Sequence, residues 1–239
     1  AGFAPFWELI RHTAYARSAR LAAARFYNCR EIHADTIEAL SAAIRAANRP
    51  GLYRRVLRDA CNIRACLTQF GGTATGSDLL IPVMPALPPM ETRDHLCHPE
   101  FAPRARVASF DDYLAARHRH LRAIRAAGAV GLKMSAFPYG APDRKTAETL
   151  FRRLKSGAVK SLPTLGQTGE TVGNPLRDFV LDDTLRQAAA LDLTVAVHAG
   201  YWDDFRKLDP LNLIPLLQRH PDVRFDVYHL GYPWVRQTL

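Results

Sequence analysis

From about residue 51 onward the chain alternates helix-sized amphipathic segments with short apolar runs rich in β-branched residues. This alternation admits few folds. The helical pattern of Tyr53 to Ala60 leads to a strand at Ile63 to Gln69, and after a Gly-Thr loop a second strand reads at Leu79 to Met84. A helix at Phe110 to Ala127 precedes a strand at Ala129 to Met134, and helices follow at Asp143 to Leu154 and Leu181 to Leu191. Two further strands read at Leu193 to Val197 and Val223 to Tyr228. Strands separated by helices pair in parallel through crossovers, so five strands predict one α/β sheet. Residues 156–174 read as a Gly, Thr and Pro-rich loop. The first sixty residues lack a strand pattern. Leu21, Ala24, Phe26 and Tyr27 fit one helical face, and after a cap at Asp35-Thr36 Ile37, Leu40, Ala43 and Ile44 fit another.

The last two strands end alike, in His198-Ala199-Gly200-Tyr201 and His229-Leu230-Gly231-Tyr232. The spacing of about 30 residues is that of one strand, helix, strand unit, which predicts both histidines at one level on adjacent strand ends. Ligands of α/β folds bind at that carboxyl edge, and neutral imidazole suits zinc, manganese or iron. Strand alternation predicts Thr194, Ala196 and His198 on one face, and Phe225, Val227 and His229 on one face of the next strand. There is no G-x-G-x-x-G after the first strand and no G-x-x-x-x-G-K-[ST], so neither nucleotide version of an open sheet is supported. Lys133, His198 and His229 instead stand at the ends of successive strands, as functional residues do in a (β/α)8 barrel.

With 48% hydrophobic and 23% charged residues, 239 residues can bury a sizeable core. No apolar run approaches the ~20 residues of a membrane span, and no signal-peptide pattern opens the chain, which predicts a cytoplasmic protein. Cys29, Cys61, Cys66 and Cys97 form no C-x-x-C pair and are expected reduced and mostly buried. The net charge of +9 raises the alternative of a nucleic-acid-binding module, but the arginines scatter over helix faces without aromatic interleaving, so nucleic acid is not the expected partner.

The stretch from Val195 to Trp234 resembles the strand-five to strand-six region of the amidohydrolase superfamily, in the amidohydrolase-related branch close to uronate isomerase-like and decarboxylase members. The resemblance continues more weakly through Val130 to Met134 and the helix Gly51 to Ala60. It implies a metal-dependent (β/α)8 barrel in which His198 and His229 serve a divalent metal, zinc first and manganese second. It also implies hydrolysis of a small molecule by a metal-activated water, with isomerisation or decarboxylation as alternatives on the same barrel. The superfamily's first strand carries His-x-His and its eighth an aspartate, which here have no counterpart. The sequence therefore reads as strands two to six of a barrel at 61–239, after a helical segment at 1–60 inserted behind a first strand. Such a piece would lack about half its ligands, and a catalytically degenerate protein is the remaining alternative.

Lys133 and His229 are the candidate catalytic residues. The superfamily's binuclear members carbamylate a strand-four lysine, whereas the branch resembled here is usually mononuclear, so Lys133 is expected to meet substrate or form an ion pair. Tyr201, Trp202, Asp204 and Arg206 after His198, with Tyr232 and Trp234 after His229, are candidate substrate-binding residues. Arginine suits a carboxylate bidentately, and this predicts a small carboxylate-bearing substrate; a homo-oligomer is possible on the same reading. His118 and His120 form a literal His-x-His, but inside a helix their side chains diverge by about 200° and a surface role is expected. His95 and His98 fall in a Pro-rich loop and read as lid or packing residues.

Overall fold

The computed structural model describes residues 4–69, 78–88, 90–96, 107–140, 143–162, 174–201, 205–206 and 208–239. The chain divides into two compact units, Ala1–Arg64 and Ala65–Leu239.

The first unit holds helices α1 (Ala4–Ile10), α2 (Ala14–Tyr27) and α3 (Ile37–Ala47), with a π-helical segment at Arg54–Ala60. Thr13 caps α2 by accepting from the Ala16 N–H, and Asn28 ends it in the left-handed conformation that asparagine tolerates. Trp7, Ala16, Ala23, Ile32 and Leu40 form its core. The expected strand at Ile63 starts later because the Ile63 N–H donates to Leu57 O, closing the preceding helical segment.

Among its described residues the second unit is built on five parallel strands, β1 (Cys66–Gln69), β2 (Leu80–Pro85), β3 (Gly131–Ser135), β4 (Thr194–His198) and β5 (Phe225–Tyr228), lying in chain order. A doubly wound sheet reverses its strand order, whereas unreversed order is that of a barrel wall. Its helices are α4 (Arg93–Leu96), α5 (Phe110–Ala126), α6 (Arg144–Ser156), α7 (Pro175–Ala190), α8 (Ile214–Arg219) and α9 (Val235–Thr238). The ladder partners Met84 and Leu132, Val195 and Phe225, and Val197 and Val227 share one sheet face and pack with Leu181, Leu185 and Ala188 of α7. Ser109 and Asp112 form a capping box for α5, while Asp143 caps α6 and Asn174 caps α7 ahead of Pro175.

Helix α7 begins six residues before the expected Leu181. Its buried residues include Arg177, Asp178, Asp182 and Thr184 as well as leucines, so it shows no apolar stripe to mark its start. Among the described cysteines, Cys29 and Cys66 are half-buried and Cys61 is exposed, which corrects the expectation of burial.

The His-x-His of α5 diverges as helical geometry requires, but both rings are half-buried rather than on the surface. His118 Nε2 lies 2.6 Å from Asp183 Oδ2 and ties α5 to α7. Burial, and secondarily the Arg117 charge, push the His120 pKa down to about 4. A histidine depressed in this way stabilises the fold above its unfolded value near 6.5, and that stability is lost as pH falls from 6.5 towards 4. Replacing His120 by Gln should therefore flatten the acid side of the stability curve by on the order of 1–2 kcal/mol, read from urea midpoints at neutral and acid pH. Parallel curves for the two proteins would show that His120 does not set the acid limb.

Candidate metal centre

The carboxyl edge of β3, β4 and β5 carries the site. Lys133 pairs in the ladder with Ala196 and Ala196 with Asp226, so these three share the face opposite the helices; Ser135, His198 and Tyr228 form the next layer on that face. The partner of His198 is thus Tyr228, and His229 stands one residue beyond the strand. Phe225 and Val227 pack against the helix-facing core instead of sharing a face with His229, which corrects the expected alternation. The physical reason is a backbone reversal at the strand end. His229 and Leu230 adopt φ of 65° and 50°, a left-handed turn that breaks the pleat and brings the His229 ring to His198.

The two imidazoles meet with ring centroids 4.5 Å apart and His229 Nε2 3.3 Å from His198 Nδ1. His198 Nε2 lies 2.8 Å from Tyr201 O. A carbonyl only accepts, so Nε2 carries the proton and Nδ1 the lone pair directed towards His229. Burial, then His198, then Lys133 hold the His229 pKa below its usual value, keeping that ring neutral at neutral pH. Two nitrogens bound at about 2.0–2.1 Å to one tetrahedral zinc stand about 3.3–3.4 Å apart, so this donor pair fits two positions of such an ion. Among the described residues no group of three or more His, Cys, Asp and Glu side chains gathers as a metal site. Catalytic zinc sites use three protein ligands, and the pair supplies two.

Both glycines of the repeated motif are closely packed, the first against the second loop and the second against α9. Gly200 has φ +89°, and a Cβ there would lie 2.1 Å from Tyr232 O; Gly231 has φ +59°, and a Cβ there would lie 2.1 Å from Thr238 Oγ1. Tyr201 follows, its ring 5.5 Å from that of His229 in an edge-on arrangement. Tyr232 is exposed, and its N–H donates to His229 O. Trp234 is half-buried and donates Nε1–H to Phe205 O, while the exposed Arg206 accepts at its carbonyl from Asn212. Trp202 and Asp204 lie outside the described residues.

Lys133 donates to Met134 O and holds its ammonium 5.2 Å from the centre of the Tyr228 ring. Burial lowers its pKa to about 8, so it remains mostly cationic at neutral pH. Among the described residues no carboxylate pairs with it. Tyr228 was not among the expected site residues; correct alternation along β5 points to it, because it shares the face of His198. His95 is a local cap, its Nδ1 accepting from the Glu91 and Thr92 N–H groups, and Cys97 and His98 lie outside the described residues.

A parallel β/α wall in unreversed strand order, with two imidazoles meeting at its carboxyl edge, is the architecture of an α/β barrel. The family model for amidohydrolases matches residues 86–239, and the chain belongs to that family. Similar solved structures include a protein from Lactobacillus casei ATCC 334 described as a metal-dependent hydrolase, at 15% identity and TM-score 0.62, matched over 95% of this chain and 59% of that one. A glucuronate isomerase from Caulobacter crescentus has 20% identity and TM-score 0.66, over 95% and 54% of the two chains. A uronate isomerase from Thermotoga maritima has 12% identity and TM-score 0.66, over 94% and 56%. These likenesses establish a shared fold, an α/β barrel of which this chain spans somewhat over half the length of each. No curated protein matches the chain. Among the described residues no helix is long and apolar enough to cross a membrane.

Proposed function

We propose that His198 Nδ1 and His229 Nε2 are two ligands of a divalent-metal site in a hydrolase acting on a small, carboxylate-bearing molecule. The observation that carries this reading is their 3.3 Å separation, with the His198 proton committed to Tyr201 O. A bound zinc or manganese ion would supply Lewis acidity, polarising a carbonyl and making water reactive near neutral pH. The residues of this chain then bind and orient. The Lys133 ammonium on the inner face offers charge to a carboxylate, whose burial without a cation would be costly. The Tyr201 ring, edge-on to His229, would form one apolar wall of the pocket; Trp202 and Arg206, next in sequence, and Tyr232 and Trp234, after His229, are the further substrate-binding candidates. His229 doubles as the group that orients the substrate oxygen. A cytoplasmic enzyme without nucleic-acid partners, able to form homo-oligomers, completes the proposal. A second reading, isomerisation of a sugar acid, draws on the two uronate isomerase structures of similar fold.

Titration of the chain with Zn2+ against a chromogenic chelator tests the ligand assignment. His198→Ala and His229→Ala should each weaken binding at least tenfold, while His118→Ala leaves it unchanged. Equal affinity in all three variants would overturn the assignment. Salt-sensitive binding of DNA or RNA that persists in chelator would support the basic-module alternative instead.

A further inference from the structure

We propose that Arg177 and Asp178, buried at the start of α7, are positioning residues for His198, acting through the segment that leaves β3. This inference rests on the reading of His198 as a ligand. The ladder between β3 and β4 runs one residue past β3, where the Ala136 N–H donates to His198 O at 2.7 Å. Beyond it, residues 137–140 leave the sheet, and their backbone groups must find partners elsewhere. Two of them, Pro138 O and the Gly140 N–H, find them on α7. Arg177 Nη2 donates to Pro138 O at 3.2 Å, and its guanidinium lies 3.9 Å from the centre of the Phe137 ring. The Gly140 N–H donates to Asp178 Oδ2 at 3.0 Å, while Asp178 Oδ1 accepts from both Nε and Nη2 of Arg177. The Tyr139 hydroxyl donates to Asp182, one turn further along the same helix.

The Arg177 and Asp178 side chains are 4% and 3% exposed. Desolvating an ion pair offsets most of its Coulombic gain, so an apolar pair of equal volume would stabilise the helix as well or better. What an apolar pair lacks is an acceptor for Gly140 and a donor for Pro138. The charges thus fix one path for the segment whose first residue holds the His198 carbonyl. The same construction recurs one strand away. The Ala86 N–H donates to Lys133 O, and the buried Arg117 donates to Ala86 O. In both places a buried helix charge fixes the exit of one strand, and that exit holds the backbone of the site residue on the next.

The test compares Asp178→Ala with Leu154→Ala, a cavity variant in the separate core cluster around Phe110 and Phe151. Thermal unfolding, Zn2+ affinity, and the imidazole 15N shifts of metal-free His198 at one alkaline pH are measured for each. Asp178→Ala should lower Zn2+ affinity about tenfold and alter the His198 tautomer pattern, while Leu154→Ala loses comparable stability and leaves both unchanged. Asp178→Asn, which keeps an acceptor for Gly140, should recover part of the affinity; it also serves if the alanine variant does not fold. Affinity that follows stability alike in all variants, with His198 shifts unmoved, would overturn the proposal. A wild-type chain that binds no Zn2+ overturns the ligand reading instead, and the His198 shifts then still decide whether Asp178 positions that ring.

Discussion

Replacing Gly200 by Ala should unfold or rebuild the carboxyl edge of the sheet, with a loss of at least about 3 kcal/mol read from urea midpoints. A Cβ at this position would lie 2.1 Å from Tyr232 O, 2.5 Å from Gly231 C and 2.7 Å from Tyr232 N. All three are backbone atoms, so no side-chain rotation relieves the overlap. The residue's φ of +89° adds a conformational cost for any L side chain. The comparison that isolates the steric part is Gly157→Ala at the end of α6. Gly157 has a similar φ of +79° but nothing within 4 Å of the added Cβ, so it should lose only about 1 kcal/mol. Equal losses at the two positions would mean that the loops after β4 and β5 do not need their close approach. A larger loss at Gly200, with the His198 and His229 resonances displaced, assigns Gly200 to loop contact.

That motif shows what the chain makes legible and what it does not. The β-branched runs and their spacing locate all five strands, and the histidines at two strand ends locate the edge that carries the site. The side on which His229 emerges is not readable by alternation, because a left-handed turn at His229 and Leu230 reverses the pleat and neither residue is a glycine that would announce it. Nor does the tetrapeptide pattern reveal that Gly200 packs against Gly231 and Tyr232, since the contact joins residues 31 or more apart. The start of α7 is illegible for a different reason. Periodicity detects a helix with one apolar face, whereas α7 buries leucines and charged residues around its circumference. Arg177, Asp178 and Asp182 therefore look in sequence like an ordinary solvated helix start, and only the fold shows that their partners are backbone groups and side chains of distant segments. The substrate candidates around Arg206 and Trp234 fall between these cases: the sequence places them beside the histidines, but their described polar contacts tie the loop together.

Asp182 should be the costliest carboxylate to remove. Its side chain is 2% exposed and accepts from Tyr139 Oη at 3.0 Å, Arg219 Nε at 2.6 Å, and Arg186 Nη1; His220 Nε2 lies 2.8 Å away. Burial pushes its pKa up, but hydrogen bonds from Arg219, Arg186 and Tyr139 outweigh it and hold the carboxyl below its ordinary value. With the folded pKa depressed, the carboxylate stabilises the fold above the ordinary carboxylate range, and that contribution is lost as pH falls through the folded pKa. Asp182→Ala leaves the His220 ring and the Tyr139 hydroxyl without this partner, while the half-exposed arginines turn to water. A loss of about 3 kcal/mol is expected near neutral pH. Asp192→Asn removes the charge facing Arg224 at an exposed position with φ 56°, which asparagine tolerates, and should change the midpoint little. If the two variants unfold at the same urea concentration, the four-partner cluster does not join α7 to α8 and the segment after β3, and α7 is held by its leucines alone.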